Sequence, residues 1–474
     1  MTYSHIIVID QGTHSTRAII YNQLGQSVFK SQQSIDLFYL ESNQVEQDGS
    51  QILRSCEKVL KDAHEFIIEH QITEVAVALT TQRSTVIAWD SIKGDAIVPA
   101  LSWLDTRAQS VLENFPINES VIKGKTGLPL SAHYGASKLQ WLLDNDDTVK
   151  QAKNENHLKY GPLISYLLFN LLKQHPNYVD YSNAHRTLLW NLQTKDWDDD
   201  LLSAFSISKE GLPQPMPNTY EYGNLKEVDY PLVLANGDQN SAVYGYGNLK
   251  DATAFINIGT GAFILAQSKH APVLDTDLLA SITYSSDCLQ EFVLEGTVNG
   301  AGAAMTWAEE EWGIRNIESV PWKNVKEVPV FLNTVGGLGS PYWHANLEPR
   351  FLDKNKSFKD YSIEQCMASI MESIVFLIVN NVEEMKKCEI EINQLLIAGG
   401  MSKDDQLCQS IANLCAIPVI VSSFKEATSR GAAWLAFQRP EWEMLESREY
   451  FPEKDDDING RFIEFKLAMN ELVS

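Results

Sequence analysis

Much of what this 474-residue chain does not contain is informative. Its few cysteines (Cys56, Cys288, Cys366, Cys388, Cys408 and Cys415) form no CxxC pair. That argues against a zinc site and against a secreted disulfide framework, and leaves a reducing cytoplasm as the expected compartment. Basic residues are outnumbered, 38 Lys and Arg against 62 Asp and Glu, giving a formal net charge of −24. Such a field repels a phosphate backbone, so no nucleic-acid partner is expected, and an anionic small molecule must be drawn in by a local site. The longest apolar stretch, Ser369–Val382, carries Glu372 and falls short of the ~20 residues a membrane span needs. It is expected to be a buried helix, with no membrane partner. The opening MTYSHIIVID runs straight into a strand-like segment with no signal peptide ahead of it. No segment is low in complexity. There is no GxxxxGK[ST] loop and no HRD or DFG set, which excludes those phosphoryl-transfer classes.

The length is too great for one core, since single cores stop growing near ~250–300 residues, so two domains are expected. His5–Asp10 reads as a buried strand, followed by a turn at Asp10–Thr13, a strand Arg17–Tyr21 and a hairpin-like turn near Gly25. Ser50–His70 has helical spacing; Glu74–Thr80 and Val86–Asp90 read as strands. Ser137–Leu172 reads as mainly helical, with Lys138, Leu139, Trp141 and Leu142 at amphipathic spacing. Past the middle the pattern restarts. Tyr230–Ala235 leads into Gly237–Asp238, and Thr253–Ile258 leads through Gly259–Thr260–Gly261 into Ala262–Gln267. A strand, a Gly–Thr turn and a strand thus occur twice, a hint of internal duplication. The tail from Glu441 to Ser474 reads as a charged helical cap on the second domain.

Four segments can carry chemistry. In Asp10-Gln11-Gly12-Thr13-His14-Ser15-Thr16-Arg17, Gly12 lets the backbone approach a phosphate, while Thr13, Ser15 and Thr16 offer hydroxyls. Asp10, at a strand end, suits a Mg²⁺ ion, which prefers hard oxygen ligands. A plain hairpin turn with a satisfied aspartate explains the same residues. Gly237-Asp238-Gln239 follows another strand; Gly259-Thr260-Gly261 suits a second phosphate clamp. Leu395–Ala398 runs into Gly399-Gly400, which would let a flat nucleotide or sugar lie on the backbone, or would simply be a tight turn.

Together these pieces resemble the FGGY carbohydrate kinases, in their glycerol-kinase branch, from residue 5 to about 437. The matches are Asp10-Gln11-Gly12-Thr13 through Arg17, Thr81-Gln82-Arg83, Asp180-Tyr181-Ser182-Asn183-Ala184 with Arg186-Thr187, Gly237-Asp238-Gln239, Gly259-Thr260-Gly261, Gly337–Trp343 and Gly399-Gly400. The resemblance implies an α/β fold of two actin-like (ribonuclease-H-like) domains with an interdomain catalytic cleft. Residues 1–244 would form the acceptor and Mg²⁺ side and residues 245–474 the nucleotide side. It also implies ATP-dependent phosphorylation of a small polyol or ketose, with Asp238 as catalytic base and Asp10 and Asp238 holding Mg²⁺. Thr13, His14, Arg17, Thr260, Gly302 and Gly400 match ATP-contacting positions, with Gly12, Ser15 and Gly261 beside them. Arg83, Trp103, Asp238, Gln239 and Phe263 match glycerol-holding positions. A homodimer is compatible with this reading.

The departures point to the acceptor. The branch has glutamate where this chain has Ser84, and tyrosine where it has His133, followed by Tyr134. Ser84 is shorter and uncharged, so a four- or five-carbon polyol or ketose is expected ahead of glycerol. Asp404 replaces an asparagine of the nucleotide loop. The segment that binds a sugar bisphosphate inhibitor in some bacterial glycerol kinases has no counterpart in Tyr222–Asp229. Competing readings are a true glycerol kinase, an actin-like regulatory ATPase without acceptor, and a non-catalytic relative. Retained Arg83, Trp103 and Asp238 speak for an acceptor pocket. His185, His344, Trp190 and Trp197 are expected to pack or lie at the surface, and Asp455–Asp457 to be a solvated turn.

Overall fold

The computed structural model describes residues 3–41, 43–247, 252–268, 276–344, 347–422, 426–443 and 446–473. The chain forms two compact units. Unit 1 comprises Met1–Leu249, Ser281–Phe292 and Glu426–Met444; unit 2 comprises Lys250–Ala280, Val293–Lys425 and Leu445–Ser474.

In unit 1 the β-branched run Ile6–Ile9 is fully buried, as a strand covered on both faces requires. It lies in β1 (His5–Gln11), and the central sheet adds β2 (Ser15–Asn22), β3 (Ser27–Ser34), β4 (Val75–Thr81), β5 (Thr219–Asn224) and β6 (Pro231–Gly237). The order is β5-β6-β4-β1-β2-β3. β1 runs antiparallel to β2 and parallel to β4, in a register that sets Asp10 beside Thr80. The helix Gly49–Glu69, started by an Asp48 side chain that accepts from the Ser50 amide, packs on β1 to β3. Helix Ala427–Ala436 packs against β1, β4 and β6. A smaller sheet combines Phe38–Glu41, Gln44–Gln47, Ala100–Leu101, Val86–Asp90 and Leu158–Pro162 in that order.

A second sheet, built mostly of unit 2 residues, has seven strands: β7 (Thr253–Ile258), β8 (Ala262–Ser268), β9 (Gln290–Val298), β10 (Gln394–Ala398), β11 (Val419–Ser422) and β12 (Ser447–Tyr450), ordered β12-β11-β10-β7-β8-β9, with Leu279–Ser285 at the edge beside β9. The longest helix of unit 2, Ile363–Lys387, opens with a Ser362–Gln365 capping box. By length and composition it could cross a membrane, yet 83% of its most apolar window is buried inside the fold. It is the buried helix expected around Ser369–Val382, longer at both ends.

Two segments differ from the sequence pattern. Ser137–Leu172 is mainly helical, as expected, but divided: between the helices Gly135–Asn145, Asp147–Asn154 and Leu163–Leu171 lies the strand Leu158–Pro162, paired with Val86–Asp90 where Gly161 and Pro162 interrupt helical spacing. The tail is divided as well. Trp442 packs in unit 1, its indole donating to the Gln23 carbonyl at 2.9 Å. Ser447–Tyr450 then pairs with β11, and among the described residues of the tail only Asp456–Val473 is helical. Trp190 and Trp197 are core residues, and His185 is buried with its Nε2 2.7 Å from the Thr126 carbonyl oxygen.

Candidate active site

The site residues of unit 1 gather at the ends of β1, β4 and β6. Asp10 is the penultimate residue of β1 and accepts a hydrogen bond from the Thr80 hydroxyl at 3.0 Å. Arg17 Nη1 lies 3.9 Å from its other oxygen and 3.2 Å from Glu426. Burial pushes the Asp10 carboxyl from 3.8 up to about 6, with the charge of Asp238 adding to the rise and Thr80 and Arg17 opposing it. The turn closes with Gly12 N donating to Ser15 O at 3.0 Å. His14 is exposed and Ser15 half-buried. The Thr13 hydroxyl, read as a phosphate donor, also accepts from the Trp103 indole at 3.0 Å. It therefore ties the turn to a neighbouring aromatic wall.

Asp238 opens the short helix that follows β6. Arg83 Nε is 3.8 Å from its carboxylate, and the Gln239 amide donates to it at 2.7 Å. Burial raises its pKa, Arg83 and Arg186 opposing; 23% of the side chain stays open to solvent. Arg83 is steadied by donation to Asn240 Oδ1 at 3.1 Å. Beneath the β6 turn a buried polar network of Asp180, Ser182, Asn218 and Asn236 reaches the Gly237 amide, which donates to the Ser182 hydroxyl at 2.8 Å. The Asp180-Tyr181-Ser182-Asn183 motif thus fixes the base of the Asp238 turn.

The aromatic wall continues from Trp103 to His133 (ring centroids 5.9 Å apart, edge-on) and on to Tyr134 (5.2 Å). Burial, reinforced by the charges of Lys138, Arg186 and Arg83, holds His133 well below its usual pKa, so it is neutral near pH 7. Ser84 is buried with φ +63°, and its Oγ meets no hydrogen-bond partner among the described residues.

The candidate residues of unit 2 lie mostly on glycine turns. Gly259 N donates to Gly261 O at 2.8 Å, and the start of the helix Gly302–Trp312 docks on this turn through Gly302 N to Gly259 O and Ala303 N to Thr260 O, both 2.9 Å. Gly399 has φ +97°, and a Cβ there would lie 2.3 Å from the Ile258 carbonyl oxygen. A side chain at Gly400 would meet nothing within 4 Å, so packing does not demand glycine there. Phe263 is half-buried on β8. Both Asp404 oxygens are engaged within unit 2: one caps the helix Asp405–Cys415 at the Leu407 amide, the other accepts from the Trp322 indole at 2.9 Å.

Residues 5–245 match the N-terminal domain of the FGGY family of carbohydrate kinases, and residues 254–438 match its C-terminal domain. The chain belongs to this family. This FGGY kinase is 32% identical to a glycerol kinase of Pseudothermotoga lettingae over 92% of its own length and 90% of the relative's. It superposes on the crystal structure of Plasmodium falciparum glycerol kinase with ADP at a TM-score of 0.88, with 25% identity and coverage of 99% and 98%. A ligand-bound xylulose kinase from Lactobacillus acidophilus shares the fold at a TM-score of 0.83 and 20% identity, covering 99% and 98%. The two units accordingly have the actin-like, ribonuclease-H-like fold. The FGGY kinase is a phosphotransferase acting on an alcohol group, and the family implies ATP as donor.

Several residues of this arrangement had no sequence signal of their own. Thr80 adjoins the Thr81-Gln82-Arg83 motif but gains its partner only through strand register. Glu426 reaches Arg17 across 409 positions, and Asn240 reaches Arg83 across 157. Lys138, at amphipathic spacing in the sequence, is fully buried.

Proposed function

We propose that this FGGY kinase transfers the γ-phosphoryl group of ATP to a hydroxyl of a four- or five-carbon polyol or ketose, with Asp238 as general base. The carrying observation is Asp238 itself: a carboxylate at a helix start, raised in pKa, still reached by solvent and flanked by Arg83. A raised carboxylate is the better proton acceptor near neutral pH. The acceptor hydroxyl gives its proton to Asp238 as its oxygen bonds to the γ-phosphorus, and the bond to the β-phosphate oxygen breaks to release ADP.

The donor set is compatible with Mg²⁺. Burial and the charge of Asp238 make Asp10 costly to ionise, and a cation held by these carboxylates would offset that cost. No group of three or more metal-ligating side chains occurs among the described residues, so water and phosphate oxygens would complete the shell. When bound, the ion neutralises phosphate charge. Arg83, Ser84, Trp103, His133, Tyr134, Gln239 and Phe263 are assigned to the acceptor. Gly12, Thr13, His14, Ser15, Arg17, Thr260, Gly261, Gly302 and Gly400 are assigned to the nucleotide. Asp404 would act there only by placing its helix. Six free thiols support a cytoplasmic setting.

The preference for a longer acceptor rests on Ser84, whose partnerless Oγ and short side chain suit an additional hydroxyl. Release of ADP, followed across polyols and ketoses of three to seven carbons, tests it. The expected result is a higher kcat/KM for a tetritol, pentitol or pentulose than for glycerol; glycerol as the best substrate would make this a true glycerol kinase.

A further inference from the structure

Among the described residues Lys138 has no carboxylate at hydrogen-bonding distance, although it is fully buried on the helix Gly135–Asn145. Its Nζ donates instead to three main-chain carbonyls: Ser84 O at 3.2 Å, Ser102 O at 2.8 Å and His133 O at 3.0 Å. An ammonium has three N–H donors and no acceptor, so three carbonyls satisfy it completely. The three carbonyls come from three separate loops. One carries Arg83 and Ser84, the second leads directly into Trp103, and the third carries His133 and Tyr134. These are most of the side chains assigned above to the acceptor.

We propose that Lys138 is the positioning residue of the acceptor pocket, its ammonium fixing the spacing of the loops that bear Ser84, Trp103 and His133. This inference rests on the acceptor assignment just made. It deepens that assignment by naming what sets the pocket's width, a residue that touches no substrate. A buried charge is costly, and a neutral residue would serve a purely apolar core better; three converging loop carbonyls give it a task. The surrounding charges are arranged to leave the ammonium to those carbonyls. Asp105 is occupied by the Val45 amide (2.7 Å) and by Arg107 (2.8 Å), Arg107 also meets Glu46 at 2.8 Å and lies over the Trp141 ring of the same helix, and His133 is neutral.

The clamp has a titration signature. Burial pushes Lys138 from 10.5 down to about 7, with Asp105 opposing and Arg107 adding to the fall. A neutral amine keeps two donors and turns a lone pair toward the third carbonyl, so one loop is released as pH rises through that value. The expectation is an acceptor KM that rises between about pH 6 and about pH 8.5 while the KM for ATP does not follow it.

Two measurements decide the matter. In the first, hydrogen–deuterium exchange of full-length wild type and Lys138→Met is compared without substrates. Amides of 102–106 and 131–135 should exchange faster in the variant, and those of 259–261 should not change. In the second, Lys138→Met should raise the acceptor KM about tenfold or more with less than about a twofold change in the KM for ATP. Lys138→Gln, which keeps two donors, should fall between, and serves alone if the methionine variant does not fold. Unchanged local exchange, or equal changes in both KM values, would overturn the clamp. If wild type shows no acceptor-dependent ADP release, the acceptor assignment fails, while the exchange measurement still decides whether Lys138 holds the loops.

Discussion

Both units place a Gly–Thr turn after the corresponding strand of their own sheets, Gly12–Thr13 after β1 and Gly259–Thr260 after β7. In each, that strand is antiparallel to the next and parallel to a later one, which is parallel in turn to a strand with an antiparallel edge neighbour. The side chains around the turns diverge. Unit 1 has Asp10 where unit 2 has Asn257, and opposite them Thr80-Thr81-Gln82-Arg83 stands where unit 2 has Ala398-Gly399-Gly400. One backbone plan thus carries charged and aromatic side chains in unit 1 and mostly glycine turns in unit 2. Charged side chains can exchange a proton and hydrogen-bond hydroxyls, whereas glycine turns leave the main chain open to close approach.

The sharpest test of this contrast is Asp238→Asn. Turnover should fall by ~10²–10⁴, the usual worth of a general base, while ATP binding measured by calorimetry stays near wild type. Near-normal turnover would move the chemistry away from unit 1's carboxylates. Next is Ser84→Glu. A charge-assisted bond is worth roughly 1.5–3 kcal/mol, so the ratio of kcat/KM for glycerol over a pentitol should rise roughly 10–100-fold. An inert substitution would show that Ser84 does not set acceptor choice.

Gly400→Ala addresses unit 2. Since a Cβ there meets nothing, the melting temperature should hold, while a displaced nucleotide contact should raise the KM for ATP about 2–10-fold. An unaltered KM would remove Gly400 from the nucleotide site. The smallest effect is on stability. Asp10, raised to about 6 from 3.8, is ionised at a cost in the folded state above about pH 6, and that cost fades as pH falls toward 4. Asp10→Asn removes it, so urea unfolding at pH 7.5, without Mg²⁺ or nucleotide, should show the variant more stable by on the order of 1–3 kcal/mol, the gap closing at low pH. A variant less stable at pH 7.5 would mean that Asp10 is well accommodated as a carboxylate.

Strand pattern was legible wherever both faces of a strand are buried, as in Ile6–Ile9, because a continuous β-branched run has few other readings. The turns of the candidate site were legible for a related reason: Gly12, Gly237, Gly259 and Gly399-Gly400 each end or follow a largely buried, mainly apolar strand. The strand Leu158–Pro162 was not, being short, mixed in composition and placed by tertiary contacts: its pairing with Val86–Asp90 and the burial of Leu158 and Tyr160. Strand Ser447–Tyr450 was hidden by its charged residues, which an exposed edge strand accommodates.

The sequence by itself determined the two-fold strand–turn–strand plan, the absence of other phosphoryl-transfer motifs and the residue types at each turn, because these follow from local periodicity and backbone permissiveness. Only the tertiary structure decided that Thr80 faces Asp10, that Asn240 steadies Arg83, that Ser84 Oγ is left without a partner among the described residues, and that Lys138 points inward to three carbonyls. Each depends on strand register or on loops far apart in the chain, and hydrogen bonds of that kind are satisfied by whatever the fold brings within about 3 Å, which no local pattern encodes.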